Sequence, residues 1–195
     1  VVSSNVWNTS TGLMTVDADL AIGGYLQNNG LMTVTGAASV HTNLGNSVDA
    51  VLTAGSLSVG GDLQNAGIAG ISGGASLVGD VFNTGALTVG GASGVTGNVS
   101  NTGTWHVGGN SGVTGSVNNA GAATVYGNSA VGGDLSNTGT LTVNGHSTVD
   151  GHLTNTGTMS VGTAEQAGNL LVGGSFYNSG TNSNFVLRGA SAVTG

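Results

Sequence analysis

Apolar and polar residues alternate along most of this chain, and the alternation is itself repeated at a fixed interval. The stretch at residues 97–114, GNVSNTGTWHVGGNSGVT, serves as the reference unit. Its Asn101 recurs on both sides as Asn65, Asn83, Asn119, Asn137 and Asn155, and every step is 18 residues, as in 101 − 83. Numbering each unit from the residue four before that Asn places the unit starts at Val6, Gly24, Thr42, Gly61, Gly79, Gly97, Gly115, Gly133, Gly151 and Gly174. Position 3 then holds Leu26, Leu44, Leu63, Val81, Val99, Val117, Leu135, Leu153 and Phe176. Position 9 holds Met14, Met32, Leu87, Trp105, Leu141, Met159 and Phe185, with Ala69 and Ala123 in two units. Position 11 is mostly Val from Val16 to Leu187, and so is position 17 from Ile22 to Val193. All of these are odd positions, whereas the even ones carry mainly Thr, Ser, Asn, Gly and Asp. A period of two belongs to strands with one buried face.

A strict internal period of this size marks a solenoid, in which each unit can bury its apolar face only against its neighbours. The predicted fold class is all-β: a parallel three-sided β-helix, about ten coils of 18 residues, each coil three sides of six. Coils stacked at ~4.8 Å would make a rod on the order of 50 Å long. The whole chain, 1–195, reads as one such domain. Its first coil, 6–23, is degenerate, with Ser10 where the Asn belongs; coils over 24–162 are regular; and 163–195 carries insertions near 164–168 and 182–184. The third unit has one extra residue, which makes Ala50 and Leu52 its inward pair.

The corners follow from Gly and Asn. A sharp turn needs positive φ or close backbone approach, which Gly supplies without steric cost and Asn tolerates. Asn28, Asn46, Asn65, Asn83, Asn101, Asn119, Asn137, Asn155 and Asn178 therefore read as a structural corner ladder, able to pass amide hydrogen bonds from coil to coil. As for handedness, hexapeptide left-handed β-helices place Ser, Thr, Ala or Val four residues after the aliphatic residue. Here that place is Gly, which favours the right-handed form and argues against an acyltransferase.

Composition narrows the function classes. One basic residue, Arg188, faces eight acids, for a net charge of −7. Nucleic acid and anionic membrane surfaces are poor partners for such a chain, because phosphate binding needs clustered cations. With no Cys there are no disulfides or thiol ligands. No apolar run is long enough to span a membrane, so no membrane insertion is expected of this segment. Scarce Lys with abundant Ser, Thr, Asn and Gly suits a secreted or cell-surface location, and a chain that begins on Val1 reads as a piece of a longer product.

The phrases GDLSNTGTLTVNG (133–145) and GHLTNTGTMSVG (151–162) resemble the coils of β-helical passengers in bacterial autotransporters and in filamentous-haemagglutinin-like surface adhesins. The resemblance runs from about Gly24 onward. It implies export to the bacterial cell surface and a role in adhesion, aggregation or biofilm, with surface glycans or proteins of a host or neighbouring cell as partners, and it brings no catalytic residues. The expected function is that of a non-catalytic structural or adhesive β-helix. The alternative is a self-assembling subunit of an extracellular fibre, whose partners are copies of itself end to end. Bactofilins, cytoskeletal β-helices of similar repeat length, are a second resemblance, but their surfaces are richer in charge.

Candidate chemistry is sparse. Asp62 and Asp80 share position 2 of adjacent coils and, one strand spacing apart, are either solvated neighbours or a pair sharing a cation; calcium is the cofactor such a pair would take. Asp134, Asp150 and His152 form a second weak metal candidate or an exposed ion pair. A carbohydrate-active enzyme needs paired carboxylates in a groove, and the acids here are scattered, so catalysis is not expected. Thr15, Thr33, Thr88, Thr124 and Thr142 share position 10, but Gly70 and His106 interrupt any flat Thr array. The outward aromatics Tyr25, Phe82, Tyr126 and Tyr177 are the candidate surface contacts, suited to stacking on sugar rings, although they are spread over different columns.

Overall fold

A computed structural model describes all 195 residues as an all-β solenoid of stacked parallel coils, without a helix. All but two coils contribute three short strands, one per side. Side one is a sheet of ten strands running from Val6–Asn8 to Phe176–Asn178. Side two runs from Leu13–Val16 to Asn184–Leu187 and side three from Leu20–Ile22 to Ser191–Val193. Sides two and three join as one 18-stranded sheet because Leu31–Val40 and Val51–Val59 pass through both without a break. Pairing is parallel and in register: Val81 meets Val99, Val99 meets Val117 and Val117 meets Leu135.

This register turns positions 3, 9, 11 and 17 into apolar columns, while position 5 stacks Asn on Asn. A single core cluster of 38 buried residues runs through the stack, with Leu63, Leu153, Val107, Val143, Val161 and Met159 fully excluded from water. Residue sizes compensate along a column. Trp105 lies in register with Leu87 on one side and Ala123 on the other, so the largest core side chain has the smallest as a neighbour. In the last coil the core is closed by Phe176 and Phe185, whose rings meet edge to face at 4.9 Å. The apolar columns end in water at Val193, which is 48% exposed.

The irregular coils follow their own corner geometry. Ala50 and Leu52 are both fully buried, and the extra residue of the third coil arises in two steps. Four residues, 47–50, replace the usual two at the corner, with Asp49 at φ 65°, and one residue is then removed where Val51–Val59 shifts register against Leu31–Val40. The C-terminal insertions lie where the repeat placed them: Ser147 pairs with Leu170 and Thr158 with Asn184. The first coil differs from its sequence reading. Val6, Trp7 and Asn8 pair with Leu26, Gln27 and Asn28, so Asn8 and not Ser10 is its ladder residue. Residues 9–12 form a four-residue corner closed by a Gly12 N–H to Thr9 C=O bond of 2.9 Å. That corner adds two residues, which displaces a count made from the apolar positions downstream, and Val2 already pairs with Ile22 ahead of position 1.

The regular corners turn without left-handed backbone. Positive φ occurs only at Asp49, Gly162 and Gly180, so the repeated Asn-Thr-Gly corner uses close approach instead. Gly103 shows why: a Cβ built there would overlap the carbonyl oxygen of Gly85 in the coil below. That proximity lets the corner itself hydrogen-bond between coils. The Asn83 carbonyl accepts from both Thr102 N–H (2.9 Å) and Gly103 N–H (3.1 Å), and Thr104 N–H reaches Gly85 C=O at 2.8 Å.

Candidate functional site

The polar residues with the most ordered geometry lie inside the stack. Ten Asn side chains, from Asn8 through Asn28, Asn46, Asn65, Asn83, Asn101, Asn119, Asn137 and Asn155 to Asn178, form one continuous ladder along the edge of side one. Each Nδ2 donates to the Oδ1 of the next coil at 2.7–2.8 Å. The second amide hydrogen crosses the corner to a carbonyl at the start of side two in that coil. Asn101 bonds Ala122 C=O at 3.1 Å and Asn119 bonds Thr140 C=O at 2.8 Å. Asn101 is wholly buried, and its donors and its acceptor are all used. Aligned amides in a low-dielectric interior polarise one another, so the ladder couples coils cooperatively.

A second coupling system uses the residues singled out for metals. Asp62 Oδ1 accepts from the backbone N–H of Asp80 at 2.9 Å, Asp80 Oδ1 from that of Asn98 at 2.7 Å, and Asn98 Oδ1 from that of Ser116 at 2.9 Å. The chain of acceptors continues through Ser116 Oγ to Asp134 N–H and Asp134 Oδ1 to His152 N–H, and ends with His152 Nδ1 accepting from Ser175 N–H. A parallel column between sides two and three runs through Asn110, Asn128, His146 and Asn169. Both His side chains accept through Nδ1, which puts the proton of the neutral ring on Nε2. Asp, Asn, Ser and His are interchangeable here because only an acceptor is needed, and sequence reading missed the columns for that reason. The available signal was that position 2, Trp7 and Tyr25 apart, holds only Asn, Asp, Ser and His. Asp150 lies on the adjoining corner, where it borders a shallow depression over side three. Nowhere do three His, Asp or Glu side chains converge.

The outward faces carry what the couplings leave free. On side one, register places Trp7, Phe82 and Tyr177 in a single column, with Gln27, Gly45, Gln64, Ser100, Asn118, Ser136 and Thr154 between them. The aromatics are therefore less dispersed than their sequence positions imply. The two-residue displacement of the first coil hides Trp7 from a count along the sequence. Tyr25 flanks this column, its N–H bonded to Asn5 Oδ1 at 3.1 Å. Tyr126 stands apart beyond side two, where its ring meets His106 edge to face at 4.8 Å. On side two the four-residue corner at 47–50 brings Thr53 between Thr33 and Gly70, which extends the Thr column, yet Gly70 and His106 still interrupt it. Beside it the exposed Leu13, Leu31 and Ile68 make a short aliphatic strip.

Comparison of the chain with protein-family models, curated protein sequences and solved structures finds no match.

Proposed function

We propose that this chain is a non-catalytic structural and adhesive rod of the bacterial cell surface, contacting glycans or proteins of a host or neighbouring cell. The observation that carries the reading is the assignment of the repeating polar side chains. Ladder Asn and acceptor columns alike are spent on holding one coil to the next, which leaves chemistry free to vary only on the outer faces. A stack of this design is stiff along its axis and presents side chains at ~4.8 Å intervals, properties that suit a spacer carrying a contact surface. The low charge and the likeness of the 133–145 and 151–162 stretches to passenger coils support an extracellular setting. A cell-binding assay with the purified rod tests the proposal: retention on bacterial or host cells is expected, and absence of retention on any surface overturns it.

The polarity of the ladder favours a second reading, a fibre subunit. Asn8 presents a free Oδ1 at one end, and Asn178 a free Nδ2 at the other. Copies stacked head to tail could continue the ladder, whereas head-to-head stacking would oppose two acceptors. Negative-stain images over a range of concentrations separate the readings: rods of about 50 Å indicate a spacer, and long filaments a polymer.

A further inference from the structure

We propose that the outward face of side one is a binding lane for a neutral, extended polysaccharide, with Phe82 as its stacking platform. The proposal deepens the adhesive reading and rests on it. Three observations point to the ligand class.

The register brings together aromatics that are 75 and 95 residues apart in sequence (82 − 7 and 177 − 82). Trp7, Phe82 and Tyr177 share one outward column at 62%, 43% and 58% exposure, with four coil steps and then five between them. At ~4.8 Å per step the spacings are roughly 19 and 24 Å. An aromatic face carries negative quadrupole charge, and the C–H face of a sugar ring is its natural complement.

Phe82 also stands between two shallow cavities of about 310 and 320 Å³, one bordered by Asp80, Asn98 and Asp134 and the other by Gln64 and Thr84. Beyond it the column offers Ser100, Asn118 and Ser136, uncharged donors and acceptors repeated once per coil. One strand spacing is close to the length of one sugar in an extended chain. An axial ligand therefore meets a new polar side chain with each residue, and about four sugars would cover Phe82 to Ser136.

Electrostatics then selects among polysaccharides. Asp80 and Asp134 commit Oδ1 to the next coil's backbone, whereas Oδ2 makes no bond within the chain and can accept from a hydroxyl. The sole cation, Arg188, lies in the last coil just beyond side two. Such a lane repels uronic acids and sulfates and accepts neutral hydroxyl-rich chains. A peptide fits less well. Strand addition needs a free sheet edge, and this is a sheet face; protein hot spots also cluster in apolar, desolvated pockets, while these aromatics are widely separated by amides and hydroxyls.

The test is titration calorimetry of the intact rod with cello-, chito- and manno-oligosaccharides, and with oligogalacturonate as the anionic probe. At least one neutral series is expected to bind, tightening with chain length and indifferent to salt. Phe82→Ser should weaken that binding about tenfold or more without changing thermal stability, because Ser100 already occupies the same place one coil on. Phe82→Gln, which copies the Gln64 of the preceding coil, repeats the test with a second side chain, and Tyr126→Ser, outside the lane, should bind as wild type. Failure of every neutral series, preference for oligogalacturonate, or a Phe82→Ser variant that binds normally overturns the lane. Cell binding measured in parallel keeps the two proposals distinct. A rod that holds to cells equally well with and without Phe82 defeats the lane and leaves the adhesive reading standing, whereas a rod that binds a neutral oligosaccharide but no cell defeats the adhesive reading alone.

Discussion

Replacing Asn101 by Ala removes one rung from the middle of the ladder, and the structure allows the cost to be worked out. Four hydrogen bonds disappear: from Asn83 Nδ2 to Asn101 Oδ1 at 2.7 Å, and from Asn101 Nδ2 to Asn119 Oδ1 (2.7 Å), Ala122 C=O (3.1 Å) and Gly103 C=O (3.2 Å). The lost bonds matter less than the groups stranded by their loss. Asn119 Oδ1 is left buried without a donor, and Asn83 keeps its bond to Thr104 C=O but has no partner for its second hydrogen. A stranded buried polar group costs about 1–3 kcal/mol, so two of them set the expected destabilisation at about 4 kcal/mol. With a urea dependence of about 2 kcal/mol per molar, the unfolding midpoint should fall by about 2 M. Far-UV circular dichroism reports the sheet, and the emission of buried Trp105, four residues away, reports the local core. Thr102→Ala at the exposed corner is the control and should stay within about 0.5 kcal/mol. A loss below about 1 kcal/mol for Asn101→Ala would refute the ladder as a main source of coil coupling.

Asn101→Asp sharpens the same test through pH. The carboxyl group fits the space of the amide and can still accept from Asn83, but its other oxygen faces Asn119 Oδ1 and Ala122 C=O, which are acceptors. Burial and acceptor neighbours both disfavour the charged form, so the folded carboxyl titrates above the unfolded value of about 3.9. Below that value both states hold the proton, and the variant is at its most stable. As pH rises, the unfolded chain releases its proton first, the native state binds more protons, and stability falls until the folded pKa is passed. The gap between variant and wild type should therefore widen from about pH 4 towards neutrality, since wild type has only a neutral amide at this site. A gap that stays constant across that range contradicts the account.

Further expectations concern the corners and the acceptor columns. Gly103→Ala should cost about 1–3 kcal/mol, because its Cβ overlaps the Gly85 carbonyl and the coils must part. Gly112→Ala, whose Cβ meets nothing within 4 Å and whose neighbour in register is Ala130, should be neutral or stabilise by about 0.4–1 kcal/mol through the unfolded state; thermal melts of the pair decide whether crowding or composition governs these glycines. Ser147 is buried with no partner for its hydroxyl, so Ser147→Ala, matching Ala75 in the same column, should leave the melting temperature unchanged or raise it by up to about 1 kcal/mol equivalent. Asp80→Asn keeps an acceptor for the Asn98 N–H and should melt as wild type with or without calcium, whereas Asp80→Ala should lose about 0.5–1.5 kcal/mol. Calcium-dependent melting of wild type that vanishes in Asp80→Asn would support the metal reading.

How much of this was legible in the sequence depended on whether a column uses one residue type or one capability. Val, Leu and Met at odd positions all bury apolar surface, and the core can be listed from the sequence because hydrophobicity is visible one residue at a time. The Asn ladder was legible for a related reason: a primary amide supplies an acceptor together with two N–H donors, and Asn101 uses all three, which no single hydroxyl or imidazole can do. The acceptor columns were not legible. Asp62, Asn98, Ser116 and His152 share an acceptor at one place and little else, so their common task appears only when the backbone N–H of the next coil is in view. Charge drew attention to Asp62 and Asp80 as a pair, while the structure employs one oxygen of each singly.

The outward faces show how a single counting origin decides what can be read. Counted from the apolar residues downstream, Trp7 falls at position 2, among the acceptor residues. Counted back from Asn8, it is the residue just before the ladder, which is the place Phe82 holds before Asn83 and Tyr177 before Asn178. In a stack locked by Asn, the ladder is the proper origin because its hydrogen bonds tie the register on side one, whereas corners of two or four residues shift everything beyond them. The same rule explains why Thr53 joins the Thr column only in three dimensions: the four-residue corner at 47–50 precedes it, and the register shift before Ser56 undoes part of the displacement. The longer corners at 9–12 and 47–50 and the insertion before Leu170 lengthen their coils while the strands beyond them pair with the coils beside them, so a count along the sequence loses the column although every bond of the ladder is retained.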